Sequence, residues 1–318
     1  MPFLLLNEAE VRSLLTMEMA LEAVEEGLRK LALDEAMNIP RARTQTDHAM
    51  LHVMSASAKT LGAMGYKAYT TSRKGADFHV GLFDSKTGEL TALVQADYLG
   101  QVRTGAASGI ATKYLARPEA STVGIYGAGK QARTQLLAIC KTRAIKHILV
   151  FSRNEETRGD FCAEMAPLCE CSVEPASRPE DAARDRDIVI TATSSRDPVL
   201  AGDWLAAGTH LNVIGSNFLA KAEVDIATIQ RAQLIVVDSK DQALVEAGDF
   251  RHAIDSGVLH WKDVRELGAV IAGREPRRSD ASQITLFKSL GLAIEDIATA
   301  AKLVAKAKEL NVGRWIDW

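Results

Sequence analysis

The sequence predicts an α/β protein in which a doubly wound parallel sheet is joined to a second, α+β domain. Three observations carry that prediction. Residues 122–237 alternate short apolar strands with helical segments, the pattern of a parallel sheet covered by helices. A glycine turn joins the first of those strands to its helix, in the stretch Gly124-Ile125-Tyr126-Gly127-Ala128-Gly129-Lys130-Gln131-Ala132. The first hundred residues have another rhythm, two helices followed by short strands. At 318 residues the chain is long for one core, which agrees with two domains.

Asn7 and Thr16 are suited to cap helices over residues 8–15 and 17–33, and the second has Leu21, Val24, Leu28 and Leu31 at helical spacing. From Arg41 the period shortens. Strands are expected at 44–57, 65–72, 78–83 and 90–95, with turn residues such as Asp47-His48 and Lys86-Thr87-Gly88, which reads as a mainly antiparallel sheet. A helix at 98–115 is rich in small residues from Thr104 to Gly109. Small side chains there permit either the approach of a ligand or tight helix packing.

After Arg117-Pro118, strands are expected at 122–126, 147–151, 172–173, 188–192, 209–214 and 234–237. Helices are expected from the glycine turn to 141, at 155–165 and at 179–184. A capped helix at 294–310 closes the chain and is expected to cross back to the first domain. The domains therefore read as 1–116 completed by 292–318, and 117–291.

Composition excludes several classes. With 47% hydrophobic and 25% charged residues and a net charge of −3, the chain carries no electrostatic footprint for nucleic acid or anionic lipid. Residues 1–6 are apolar but lack a basic leader, and no apolar run approaches the roughly 20 residues that span a bilayer. No signal peptide and no membrane span are expected, and the location expected is cytoplasmic. Cys140, Cys162, Cys169 and Cys171 include one Cys-x-Cys pair with no second pair or nearby histidine. Reduced thiols and no metal are expected.

In the glycine loop, Gly127 permits a tight turn, Gly129 lets backbone approach a pyrophosphate, and Ala132 allows close helix–strand packing. That is a Rossmann-type dinucleotide site, with Ala128, Lys130 and Gln131 at the opening of the helix. An acid at the end of the next strand would hold a ribose 2′-hydroxyl. The residues here are Phe151-Ser152-Arg153-Asn154, with no acid before Glu155. A hydroxyl, a guanidinium and an amide suit a 2′-phosphate, so NADPH is expected over NADH, with NADH possible. The plainer alternative is that Arg153 is a solvated residue at a strand end.

Three cations stand out in the first domain: Arg41, Lys67 and Arg103. Any one alone reads first as a surface charge. Together they could bind a carboxylate through arginine and present an ammonium to a carbonyl or imine.

With these residues and a set of further stretches, the chain resembles the ornithine cyclodeaminase/mu-crystallin family along nearly its whole length. The stretches include Pro40-Arg41, Gly65-Tyr66-Lys67, Gln101-Val102-Arg103-Thr104-Gly105, Gly127–Ala132, Val237-Asp238-Ser239, Gly248-Asp249 and 284–293. The resemblance implies a homodimer built by the substrate-binding domain, followed by the Rossmann domain. It implies that Arg41, Lys67 and Arg103 hold the substrate carboxylate and reacting nitrogen, with Arg43 a competitor of Arg41. It also implies that Thr104, Gly127–Gln131, Arg153, Thr193, Lys221 and Ser289 lie near the cofactor.

One departure bears on the reaction. Cyclodeaminases and the related archaeal alanine dehydrogenases carry an aspartate where Gly215-Ser216-Asn217-Phe218-Leu219-Ala220-Lys221 has Asn217, and an amide cannot serve as a general base. The resemblance then implies a ketimine reductase acting on Δ1-pyrroline-2-carboxylate or Δ1-piperideine-2-carboxylate. The alternatives are an alanine dehydrogenase-like enzyme, an ornithine cyclodeaminase and a low-turnover NADPH-binding protein. His52 stands where the cyclodeaminases have a glutamate. It reads either as a contact to a different substrate side chain or as a satisfied strand histidine.

Overall fold

The computed structural model of the protein describes residues 2–317. The chain divides into two compact units, Met1–Ala107 with Gly291–Trp318, and Ser108–Leu290. The first unit holds β1 (Phe3–Leu6), α1 (Glu8–Leu14), α2 (Met17–Ala32), β2 (Ala36–Gln45), β3 (Ala49–Ala58), β4 (Ala63–Ser72), β5 (Gly75–Asp84), β6 (Leu90–Gln95) and the start of α3 (Asp97–Leu115). Because α3 runs through residue 107, this division differs from the expected 116/117 boundary, which lies just past the helix.

Local chemistry explains the opening helices. Asn7 Oδ1 accepts from the backbone of Ala9 and Glu10 while the Glu10 carboxylate accepts from Asn7 N, a reciprocal cap. Thr16 Oγ1 accepts from Met19 N. The sheet of this unit has the order β15-β1-β6-β5-β4-β3-β2, where β15 is Arg314–Ile316. Its pairs are antiparallel except β1 with β6.

Register decides what the sheet presents. The pairs Arg43↔His52, His52↔Tyr69, Met54↔Lys67, Lys67↔Val80 and Tyr69↔Phe78 share one face, because opposed residues in a ladder point the same way. Helix α10 (Ala293–Leu310) packs against β3 and β4. A shift in register between Ile39 and Ala42 places Pro40 and Arg41 in an irregularity of β2.

The second unit holds β7 (Thr122–Tyr126), α4 (Lys130–Thr142), β8 (His147–Phe151), α5 (Glu155–Cys169), β9 (Ser172–Pro175), β10 (Ile188–Thr191) and β11 (His210–Val213). It continues with α6 (Ile226–Arg231), β12 (Leu234–Val237), α7 (Lys240–Glu246), α8 (Gly248–Asp255), β13 (Arg265–Glu266), α9 (Leu267–Ile271) and β14 (Thr285–Lys288). The sheet order is β13-β12-β14-β11-β10-β7-β8-β9, with every pair parallel. Strands β10, β11, β12 and β14 are buried at every residue; β10 and β12 read as apolar runs, while β11 and β14 also bury His210, Asn212, Thr285 and Lys288. Val189, Leu211 and Phe250 belong to one apolar core, and Ile125, Ile148 and Ile190 to another.

Several expectations need correction. The strand expected at 44–57 is a hairpin, β2–β3, turning where Thr46 Oγ1 accepts from the backbone of His48 and Ala49. The segment at 179–184 is a single 3-10 turn, Pro179–Ala182, too short to close an α-helical ladder. Helix α5 runs past 165 to Cys169 with Pro167 inside it. Helix α10 has no side-chain cap of its own; Ile294 N donates instead to Asn38 Oδ1 of β2 at 3.1 Å. Among the described residues, no helix is long and apolar enough to cross a membrane, and no group of three or more His, Cys, Asp or Glu is placed to hold a metal.

Candidate functional site

Lys67, in the middle of β4, is 2% exposed. Its Nζ donates to Asp296 Oδ1 of α10 at 2.7 Å. The same oxygen accepts from Arg103 Nε of α3 at 3.1 Å, while Arg103 Nη1 donates to Glu295 Oε2 at 2.7 Å. Arg41 is buried as well, and its Nη2 donates to Gly291 O at 3.2 Å. The three expected cations thus lie in one buried region of the first unit, with Glu295 and Asp296 as counter-charges. Gly291 has φ +80, and a Cβ there would lie 2.6 Å from Arg103 Nη1, so glycine is needed to seat the guanidinium.

Burial lowers the Lys67 pKa to about 8; Asp296 opposes that fall, while Arg103 and Arg41 add to it. An ammonium near neutrality in its titration is suited to give up a proton. His52 lies flat on Tyr69 with ring centroids 4.2 Å apart, and Tyr69 stacks on Phe78. Its Nε2 lies 3.2 Å from Thr71 Oγ1. Burial first, then Arg43 and Arg41, push its pKa down to about 4, so His52 is neutral at physiological pH. Arg43 shares the His52 face through its ladder pair.

In the second unit, Gly127 follows β7 with φ +110, and a Cβ there would meet Ala192 O at 2.4 Å. Gly129 stands at the N-cap of α4, where no side chain caps the helix and a Cβ would meet nothing within 4 Å. A cavity of about 580 Å³ opens over this turn. Gly127, Ala128, Gly129, Lys130, Gln131, Ser152, Arg153, Asn154 and Thr193 all line it. Uncapped amides at a helix N-terminus, a backbone turn only glycine tolerates and an open approach at Gly129 fit a dinucleotide pyrophosphate.

At the far strand end, Asn154 Oδ1 accepts from Thr157 N and so caps α5, and Ser152 Oγ donates to Asn154 O. Arg153 is exposed at the cavity rim. Three expected cofactor residues fall outside this cavity. Thr104 belongs to the first unit and donates to Gly100 O of its own helix. Lys221 lines a separate cavity with Asp249 and His252. Ser289 is buried, its hydroxyl 3.5 Å from Asp238 Oδ2.

Four buried charged groups went unsingled in the sequence. Glu295 and Asp296 lie in the apolar stretch Leu292–Ala298, and two adjacent acids there are the signal that marks them. Glu223 is wholly buried: Thr193 N and Oγ1 donate to its Oε1 at 2.7 Å each, and Thr191 Oγ1 and Gly215 N to its Oε2 at 2.9 and 2.6 Å. Burial raises its pKa, against the pull of Lys288 and the Thr193 donors. Lys288, the last residue of β14, pairs with Asp249 at 2.8 Å and donates to Ser216 O at 2.6 Å. Asn217 follows in the same loop, half-buried.

One unit with a parallel sheet and a glycine-turn cavity, and another that buries a lysine and two arginines with two acids, define a dinucleotide-binding α/β protein of two units. The ornithine cyclodeaminase/mu-crystallin family model matches residues 3–311, and the chain belongs to that family. It is 36% identical over 331 residues to an alanine dehydrogenase of Archaeoglobus fulgidus, covering 100% of this chain and 99% of that protein. It is 33% identical to a Δ1-pyrroline-2-carboxylate reductase of Bacillus cereus, covering 99% and 100%. Among solved structures, the Thermococcus litoralis Δ1-pyrroline-2-carboxylate reductase in complex with NADH and L-proline superposes with a TM-score of 0.94 at 34% identity, covering 98% and 99%. An archaeal alanine dehydrogenase dimer with bound NAD does so with 0.94 at 34%, covering 100% of each chain.

Proposed function

We propose that this protein is a homodimeric, cytoplasmic reductase of small cyclic ketimine acids, taking Δ1-pyrroline-2-carboxylate or Δ1-piperideine-2-carboxylate to L-proline or L-pipecolate. The observation that carries this reading is Lys67: a buried ammonium with a pKa near 8, flanked by two buried arginines. Arg41 and Arg103 orient the substrate carboxylate. Lys67 Nζ holds a proton at the imine nitrogen. His52, neutral and stacked on Tyr69, gives the side-chain end of the substrate a flat, uncharged wall. The dinucleotide, held at Gly127–Gln131 with Ser152, Arg153, Asn154 and Thr193, supplies hydride when bound. A small imine acid needs orientation and a proton more than strong base catalysis, which suits a chain with Asn217 in place of the family's aspartate.

The absence of an acid in Ser152–Asn154 supports NADPH over NADH, while the similar solved structures carry NADH or NAD. The 36% identical alanine dehydrogenase supports a second reading, reductive amination of a 2-oxo acid. One panel separates them. Pure protein is given NADPH or NADH with each cyclic ketimine, with pyruvate plus ammonia, and with ornithine. Oxidation of NADPH with a ketimine, at a KM below that for NADH, is the expected result. Turnover with pyruvate and ammonia alone favours the second reading, ammonia released from ornithine refutes the use made of Asn217, and binding without turnover refutes both enzyme readings.

A further inference from the structure

We propose that Asp296 is the positioning residue of the Lys67 site: its one carboxylate oxygen seats the Lys67 ammonium and the Arg103 guanidinium together, so that Lys67 has a proton to give to the imine nitrogen. The inference rests on the ketimine reading for its substrate. Its geometry does not.

The charges around Lys67 come from each element packed on it. Asp296 lies on α10 beside Glu295, Arg103 on α3 and Arg41 on β2. His52 stands on the neighbouring strand β3, and the rings of Tyr69 and Phe78 lie 5.9 and 5.6 Å from Nζ. Gly100 of α3 leaves room for the ammonium, since a Cβ there would sit 3.1 Å from Nζ. Arg41 and Arg103 both drive the proton off Lys67, as does burial, and Asp296 opposes them through its charge and its hydrogen bond.

A buried acceptor without a donor is costly, and Asp296 carries one, as Glu295 does. Asp296 Oδ1 takes both cations, and its buried Oδ2 has no hydrogen-bond partner among the described residues. The arrangement fixes the spacing of ammonium and guanidinium at the expense of that oxygen. In the step it serves, hydride from the reduced nicotinamide dinucleotide adds to the imine carbon, the C=N pair moves to nitrogen, and that nitrogen takes a proton from Lys67 Nζ. The neutral amine is then reprotonated from solvent.

The test compares pH profiles of kcat/KM for wild type, Asp296→Asn and Asp296→Glu with NADPH and a cyclic ketimine. Alongside, Lys67 is titrated by NMR in the dinucleotide-bound protein, its signal assigned by loss in Lys67→Arg. Removing the carboxylate takes away the group that opposes the fall in Lys67 pKa. The basic limb of Asp296→Asn should therefore move to lower pH by about one unit or more, with kcat falling more than KM rises, and the Lys67 titration should move with it. Asp296→Glu should lie between the two. A limb and a Lys67 titration that coincide with wild type in the folded variant overturn the proposal. If the amide variant does not fold, Asp296→Glu carries the same comparison, and coincidence with wild type again overturns it. If wild type turns over no ketimine, the functional reading falls, and the Lys67 titration alone still decides the role of Asp296.

Discussion

Two lysines make the point that a residue's meaning depends on what faces it. Lys67 and Lys288 both sit on strands, both are buried, and both pair with an aspartate. Lys288 also donates to a backbone carbonyl and stands beside Glu223 and Asp249, so its positive charge is surrounded by acceptors. Lys67 shares its aspartate with an arginine and has a second arginine nearby. Burial first, and then the two arginines, leave its proton loosely held against the pull of that carboxylate, which is the condition for proton transfer rather than for a static tie. Lys67→Ala should accordingly cut turnover by about 10²- to 10⁴-fold while leaving dinucleotide affinity intact, since the glycine loop belongs to the other unit. Steady-state kinetics and NADPH fluorescence titration check this; turnover near wild type would remove Lys67 from the chemistry.

At the scale of elements, the strand-end loops of the parallel sheet are tied by one carboxylate. Glu223 takes donors from the end of β10 and from Gly215 beyond β11, and Thr193 among these lines the nucleotide cavity. In Glu223→Gln an amide NH₂ replaces one acceptor and faces donors, a buried mismatch costing about 1–3 kcal/mol. NADPH affinity should weaken roughly tenfold and the melting temperature should fall; an unchanged dissociation constant would separate Glu223 from the cofactor loop. What the sequence makes legible follows the same physics. The glycine loop reads clearly because turn, helix start and cavity are all local in sequence. The β2–β3 hairpin is blurred because Pro40, Arg41 and Arg43 interrupt the alternation, and because polar Thr46–His48 lie between similar strands. The strands β12 and β14 lack a two-residue alternation because they are buried on both faces. The partners of Asp296 escape notice for another reason: Lys67 and Arg103 lie about two hundred residues away in the chain, so the acids in an apolar stretch mark the residue but not what it holds.

At the scale of the whole molecule, the proposed homodimer has a counterpart in a similar archaeal structure that is a dimer. The outer face of the first unit's sheet is the surface suited to it. Met37 and Ile39 of β2 and Leu51 and Val53 of β3 are 62%, 50%, 41% and 39% exposed, and ladder pairing puts them away from the Lys67 face. Ile39→Asp with Val53→Asp should weaken self-association by about thirtyfold or more, read by sedimentation at micromolar protein. A doubly substituted protein that stays dimeric would place the interface elsewhere.

Strand β1 pairs with β15 and α10 packs on β3 and β4, so the first unit is assembled from both ends of the chain while the second is one continuous stretch. During synthesis the dinucleotide-binding unit can therefore mature while its companion still waits for its closing helix. Until that helix leaves the ribosome, Lys67 and Arg103 are without Asp296 and Glu295, the acids that pair with them in the folded unit. A chain interrupted before residue 293 would be left as a nucleotide binder with nothing to reduce.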